Sequence, residues 1–180
     1  ELLLSERSTA IRRHEQARAE LETLQQQINP HFLFNALNAL YALCLEGRGA
    51  SAGAVLKLSD LLRYTVYDGQ NEWAGLDDEI SYLRNYIDLQ LLRFGQRCRV
   101  SCKWPEEPSR FVIPPLLLIM LVENAFKHGV EPGDETSEVN ITLTITGTRL
   151  RFTCANSPVP AMPPTTRPGL GLANLRRRLE

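Results

Sequence analysis

Hydrophobic positions along this chain follow two rhythms. Up to about residue 94 they recur every three or four residues, and beyond that they mostly alternate. Leu21, Leu24 and Ile28 start a helical stripe that continues through Leu33, Leu37, Leu40 and Leu43. Upstream, Leu2 to Leu4, Ala10, Ile11 and Ala17 lie in a stretch rich in Arg, Glu and Gln, which predicts a helix entering a coiled-coil or bundle contact. Gly47 and Gly49 stop it. A second helix is predicted over about 51–68, with Ser51 as N-cap and Val55, Leu58, Leu61, Leu62 and Val66 as its apolar face. Two such helices joined by a short Gly-rich loop form a helical hairpin. One hairpin cannot cover both its faces, so two pairing as a dimeric four-helix bundle is the natural completion.

A turn over 68–73 leads to a third helix over about 78–94. Asp77 is its expected cap, and Asp78 and Glu79 suit the positive end of its dipole. Ile80, Leu83, Ile87 and Leu91 form its stripe, with Tyr86, Leu92 and Phe94 beside it, and Gly95 ends it. The rhythm then changes. Arg97 to Trp104 reads as a strand, and a Pro-containing loop follows. Pro114-Pro115 opens a strongly apolar helix through Leu116 to Val122, which turns polar at Glu123-Asn124 and ends at Gly129. A helix apolar through most of its turns is buried. Val139, Ile141, Leu143 and Ile145 alternate with Asn140, Thr142, Thr144 and Thr146, the clearest strand in the chain. Gly147-Thr148 turns it into a return strand through Leu150, Phe152 and Cys154. Ser157 to Pro168 reads as a mobile loop, and a last helix starts near Ala173. The fold class is α+β.

Composition narrows the picture. The 180 residues fit one ordinary domain or two small ones, and 43% hydrophobic with 23% charged residues belongs to a soluble globular protein. A net charge of −1 gives no electrostatic reason to expect nucleic acid. No apolar run approaches the roughly 20 residues that span a bilayer, and no signal-peptide pattern is present. The start at Glu1, running straight into helical periodicity, reads as a fragment. Cys44, Cys98, Cys102 and Cys154 form no CxxC pair. Cys98 and Cys102 share a strand face and are expected in the core, which points to a reducing compartment. His14 lies in the charged stretch and reads as a solvated surface residue.

Three places carry candidate chemistry. In Gln27 to Asn35, His31 follows Pro30 between apolar residues. Proline in a helix interior removes an N–H and crowds the carbonyl four residues back, at roughly 3 kcal/mol. Pro30 therefore either kinks one long helix or opens a second one. Glu123 and Asn124 put two polar groups at the end of an otherwise buried helix, where unpaired polar groups are costly and a bound partner would satisfy them. Gly169 and Gly171 would let backbone approach a phosphate closely, with a helix N-terminus behind them.

Asn29-Pro30-His31-Phe32-Leu33-Phe34-Asn35, with Ala36-Leu37-Asn38 after it, resembles the phosphoacceptor box of the LytS-type sensor histidine kinases. Leu121 to Gly129 resembles the N-box of the GHKL ATP-binding fold, and Gly169 to Leu179 its glycine box. The third helix, with Tyr86, Leu89, Arg93, Phe94 and Gly95, resembles the linker between the two modules. The likeness extends over about 21–179. It implies a dimerisation and phosphoacceptor hairpin over 1–70, a connecting helix over 71–96, and a GHKL-type α/β sandwich over 97–180 that lacks its last strands.

The resemblance also implies roles. His31 takes phosphate from ATP. Asn124 places its amide oxygen on Mg²⁺, with Lys127 or His128 near the phosphates. Glu123 either stands behind the metal's direct ligands as an acceptor or helps to deprotonate the histidine. Asn35, one turn after His31, orients a water for the reverse phosphatase direction. Many members carry an aspartate that accepts the adenine amino group; here strand parity puts Asn156 there, an acceptor without the charge, and Pro158 replaces the glycine-rich continuation. The implied protein is a homodimeric kinase that hands its phosphoryl group to a response regulator aspartate. It would be the cytoplasmic portion of a bacterial inner-membrane protein, reaching the membrane only through upstream segments. The competing expectation is a dimeric regulatory scaffold with weak or no kinase activity, motivated by Asn156 and the Pro-rich loop. An ATPase of the gyrase or mismatch-repair type leaves the His31 box unexplained and has Met120 where those enzymes carry a carboxylate.

Overall fold

The computed structural model describes residues 30–45, 50–133 and 136–157, together with Leu175. It is a mixed helix and sheet protein, as the change of rhythm predicts. The junction of Pro30 with the upstream stretch, the Gly47–Gly49 loop, most of the loop after Ser157 and the glycine box lie outside the described residues, although Leu175 itself is helical.

Helix α1 spans Pro30–Leu45 and helix α2 spans Ala50–Tyr67. On α1, Ala36 and Leu40 are buried and Leu33 packs against them, while Leu37 of the expected stripe points outward with Phe34, Tyr41 and Leu45. On α2 the inner line is Ala54, Leu58, Leu61 and Thr65, at spacings of four, three and four. Leu58 and Leu61 of the expected face are buried and Leu62 packs against the core, while Val55 is half exposed and Ala54 takes its place. Thr65 joins the inner line with its hydroxyl satisfied: Oγ1 donates to the Leu61 carbonyl at 2.8 Å and lies 3.2 Å from the Tyr82 hydroxyl. Ser51, the expected cap, lies inside α2.

A 3₁₀ turn over Asp68–Gln70 leads to strand β1, Ala74–Gly75. Helix α3 then runs Leu76–Phe94 and packs on α2. Its N-cap is Gly75, and the expected cap Asp77 falls within the first turn beside Asp78 and Glu79. Gly95 ends it at φ +57°, where a side chain would be strained. Leu76, Leu83, Tyr86, Ile87, Leu89 and Phe94 are all buried, a wider face than one stripe, because α3 is covered both by the hairpin and by the sheet layer. Leu92 lies outside that face.

Strand β2 is Cys98–Lys103. After a 3₁₀ turn, β3 (Val112–Ile113) pairs antiparallel with β1, Ala74 opposite Ile113. Two-residue strands have no periodicity to read, so this ribbon was not foreseeable. The expected helix from Pro115 does not form there. Pro115 to Leu118 are buried in a turn, with Leu116 at φ +56°, and helix α4 begins only at Ile119 and ends at Gly129. The Leu116 N–H is bonded to a side chain of α3 instead of starting a helix. The Leu121 N–H closes back on the Leu118 carbonyl at 3.2 Å.

Strands β4 (Ser137–Thr146) and β5 (Arg149–Asn156) form the expected hairpin, turned at Gly147 with φ +60°. β2 lies parallel to β4, giving the order β2-β4-β5. Val139, Ile141 and Leu143 are buried on the helix side, and the core runs unbroken from Ala36 and Leu58 to these residues. Cys98 is in that core but Cys102 is exposed, because β2 is an edge strand whose cover ends after its first residues. All four cysteines are free thiols. Among the described residues no helix is long and apolar enough to cross a membrane.

Candidate functional site

Helix α4 is fixed by its inner face. Ile119, Val122, Ala125, Phe126 and Gly129 are buried. The Phe126 ring meets Tyr86 edge-on at 5.9 Å and stacks on Phe94 at 6.2 Å, both from α3. That pose leaves Asn124 half-buried and Lys127 and His128 exposed one turn further on. Asn124 and His128 share a helix face, with Lys127 beside them. The helix closes tightly, Val130 N–H and Glu131 N–H both donating to the Phe126 carbonyl at 3.0 and 2.9 Å.

Asn156 joins this end of α4 from the sheet. A Cβ on Gly129 would lie 2.4 Å from Asn156 Nδ2 and 2.5 Å from its Cβ and Cγ, so the close approach requires glycine. Asn156 Nδ2 donates to the Ser157 carbonyl at 2.9 Å. Ser157 is pinned in turn, its N–H donating to the Glu138 carbonyl at 2.9 Å and its Oγ accepting from the Glu138 N–H at 2.9 Å. The amide of Asn156 therefore directs its donor to the carbonyl of the next residue, Ser157, and its oxygen away from it. Of the residues singled out in the sequence, Asn124, Lys127 and His128 thus lie on the C-terminal half of α4, and Asn156 lies against its last residue, Gly129.

Glu123 belongs to a different neighbourhood. It is half-buried, and its charge acts on Tyr82 and Tyr86 of α3. Burial pushes the Tyr82 phenol up to about 12, with the Thr65 hydrogen bond opposing and the Glu123 charge adding to it. Burial and then Glu123 hold Tyr86 well above the ordinary phenol range. His31 is in the first turn of α1 as described, and Asn35 is half-buried one turn on. Their helix packs on α2 and α3, whereas α4 packs on β4 and β5. Gly169 and Gly171 lie outside the described residues.

Sequence reasoning missed two sets of residues here. Arg93 Nη1 donates to Glu131 Oε1 at 2.7 Å and its guanidinium lies 4.6 Å from the Phe94 ring centre, while Arg97 bonds the Gly133 carbonyl. The end of α3 thus holds the segment that leaves α4. Glu79 is fully buried and accepts from the Tyr64 hydroxyl and the Leu116 N–H. Its signal was present: Leu76, Glu79, Leu83 and Tyr86 form one inward line at spacings of three, four and three. A hollow between α2 and α3, lined by Asp60, Tyr64, Asp68, Asp78 and Ser81 among others, contains none of the predicted site residues.

Among the described residues no group of three or more His, Cys, Asp and Glu could hold a metal ion. Mg²⁺ takes one or two protein oxygens and completes its shell with phosphates and water. The side-chain oxygen of Asn124 is a ligand of that type, and Lys127 carries an ammonium group one turn further on.

The histidine kinase family model matches residues 19–98, from the stretch before His31 to the start of β2. The sensor histidine kinase YpdA of Escherichia coli (strain K12) is 36% identical over 135 residues, 75% of this chain and 24% of that protein. The sensor histidine kinase BtsS of the same strain is 32% identical over 161 residues, 89% of this chain and 28% of its own length. The sensor histidine kinase/phosphatase LytS of Staphylococcus aureus (strain MRSA252) is 29% identical over 125 residues, 69% of this chain and 21% of that protein. The chain spans about a quarter of the length of these relatives. At 32–36% identity to sensor histidine kinases over 75–89% of its length, the chain belongs to the histidine kinase family, among the LytS-type sensor kinases.

Proposed function

We propose that this chain is the kinase core of a two-component sensor histidine kinase, built on a GHKL-type nucleotide module. The observations that carry the reading are Asn124, Lys127 and His128 on one helix whose last residue, Gly129, lies against Asn156, in a chain whose α1 bears His31. ATP binds against that end of α4. Asn156 Oδ1 accepts from the adenine amino group, because Nδ2 is turned to the Ser157 carbonyl. Asn124 would hold Mg²⁺, which would supply charge neutralisation at the phosphates. A ring nitrogen of His31 attacks the γ-phosphorus, the bond to the bridging oxygen breaks, and ADP leaves with the electron pair of that bond. The imidazole proton passes to a base, a role we assign to Glu123. The phosphoryl group then passes to an aspartate carboxylate of a response regulator.

Dimerisation follows from α1. Phe34, Leu37, Tyr41 and Leu45 recur at three, four and four residues on its outer side, and Val55 and Leu56 of α2 are also exposed. A second copy of the hairpin covers this stripe as a four-helix bundle. The domain limits follow: a hairpin to about residue 70, a connecting helix to 96 and the nucleotide module from 97. Attachment to a bacterial inner membrane would come through segments upstream of this cytoplasmic portion. Asn35, one turn after His31, orients water for dephosphorylation, in line with the kinase/phosphatase name of the Staphylococcus aureus relative. An Asn35→Ala variant that dephosphorylates a phosphorylated regulator at the wild-type rate refutes that role.

A second reading, a dimeric regulatory scaffold without kinase activity, is favoured by the uncharged Asn156 where family members carry aspartate. Calorimetric titration with ATP and Mg²⁺ separates the two. The kinase reading predicts saturable binding that Asn124→Ala weakens at least about tenfold, the weight of one charge-assisted contact. Absence of binding to the wild type supports the scaffold.

A further inference from the structure

A fully buried carboxyl group sits where the hairpin, the connecting helix and the approach to the nucleotide helix meet. Glu79 lies in the first turn of α3 with no exposed surface. Its Oε1 accepts from the Tyr64 hydroxyl on α2 at 2.8 Å and from the Leu116 backbone N–H at 2.6 Å. Both donors belong to other segments, so one side chain ties together three stretches that are far apart in sequence.

The Leu116 end of this link is unusual. Leu116 is the one non-glycine residue with positive φ among those described, at +56°. A leucine there is strained, and such strain persists only where the surroundings hold it. Glu79 holds the backbone N–H. The side chain is held separately: it is buried against Gly69 in the 3₁₀ turn after α2, where an added Cβ would come 2.9 Å from Leu116 Cδ1. The turn that opens α4 is therefore fastened to the end of α2 twice, once through Glu79 and once through Gly69. Burial, and then the charge of Glu79, push the Tyr64 phenol above its ordinary range, so its hydroxyl stays a donor at working pH.

We infer that Glu79 is a positioning residue that couples the hairpin to the nucleotide helix: a rotation or shift of α2 at Tyr64 passes through the Glu79 carboxyl group to the backbone at Leu116 and so to the start of α4. This rests on the reading of α4 as the nucleotide helix. By linkage the coupling runs both ways, so nucleotide at Asn124 changes the stability of α2 around Tyr64.

Amide hydrogen exchange tests it on wild type, Tyr64→Phe and Thr65→Val. Tyr64→Phe removes only the hydroxyl and keeps the ring, which lies 5.1 Å from Tyr82. Thr65→Val breaks a hydroxyl contact of the neighbouring buried residue that does not reach Glu79. At matched global stability, exchange at the Leu116 amide rises at least about tenfold in Tyr64→Phe and stays near wild type in Thr65→Val. Equal change in the two variants, or none in Tyr64→Phe, overturns the proposal. Adding Mg²⁺ with a non-hydrolysable ATP analogue separates this from the nucleotide reading. Slowed exchange over 119–129 in all three proteins reports nucleotide binding, and its absence counts against the kinase reading while the Leu116 comparison still decides the link. Where 119–129 is slowed, exchange over 60–67 slows in wild type and not in Tyr64→Phe; a wild-type α2 indifferent to nucleotide also overturns the coupling.

Discussion

Gly129→Ala gives two physical arguments opposite signs. Helix propensity favours alanine by about 1 kcal/mol in a helix interior, and Gly129 has no left-handed φ to oppose it. The neighbouring strand does oppose it. The new Cβ would stand 2.4 Å from Asn156 Nδ2 and 2.5 Å from Asn156 Cβ and Cγ. Carbon atoms pack at about 3.5–4.0 Å, so α4 and β5 must separate by about 1 Å. The amide head can swing away because Asn156 is exposed, but its Cβ is fixed to the strand. Overpacking of this kind costs about 1–3 kcal/mol, which outweighs the propensity gain at a helix end. The expected net is a loss of about 1–2 kcal/mol, or a fall in thermal midpoint of roughly 2–8 °C for a chain of this size. Circular dichroism melts of wild type, Gly129→Ala and two double variants measure it. Combining it with Asn156→Ala gives no rescue, because the Asn156 Cβ remains; combining it with Asn156→Gly restores most of the midpoint. A Gly129→Ala protein as stable as wild type, or more stable, would refute the close packing of α4 on β5. Because the same contact holds Asn156 against α4, the nucleotide reading predicts that ATP binding weakens in parallel.

Three other outcomes are expected. Phe126→Ala empties a fully buried site between Tyr86 and Phe94 and lowers stability by about 3–5 kcal/mol, read by urea unfolding; a loss under 1 kcal/mol contradicts the ring packing. Tyr64, Tyr82 and Tyr86 all have phenols pushed up, with burial the leading cause. A folded value above the free value of 10 means that their share of stability is whole below about pH 10 and drains away as pH climbs toward and past 12. Alkaline titration should show phenolate absorbance from these residues appearing together with loss of helical signal; ionisation of all tyrosines in a folded chain would count against it. Replacing Phe34, Leu37 and Tyr41 together by Ser removes the outer stripe of α1 without touching Ala36 or Leu40. Light scattering should then find a monomer where the wild type is a dimer, and a triple variant that stays dimeric places the interface elsewhere.

Long, regular features were legible in the sequence. The 3.6-residue stripe of α2 and α3, the strict alternation of Val139 to Ile145 and the Gly147 turn each follow from local pattern, and the structure has them within a few residues. The misreadings occur where tertiary contacts outvote pattern. Leu116 to Leu118 are as apolar as any helix interior, yet Pro115 lacks an N–H, and the Leu116 N–H finds a better partner in the buried Glu79. Glu79 itself sits in a run of three acids that suits a helix dipole, and only the inward line through Leu76 and Leu83 separates it from Asp77 and Asp78. Cys102 has the same parity as Cys98, but parity gives the face and not how far the cover extends along an edge strand. At the site, Asn124, Lys127 and His128 were readable from one segment. The approach of α4 to Asn156 is made at Gly129, which pattern alone marks only as a helix end.

Label transfer tests the central claim most directly. Full-length protein is incubated with γ-labelled ATP and Mg²⁺, wild type beside His31→Gln. The account predicts label on the wild type alone, acid-labile and base-stable as a phosphohistidine is. Equal label on both proteins would remove His31 as acceptor. No label on either, in protein that still dimerises, would contradict the kinase reading and leave the regulatory scaffold.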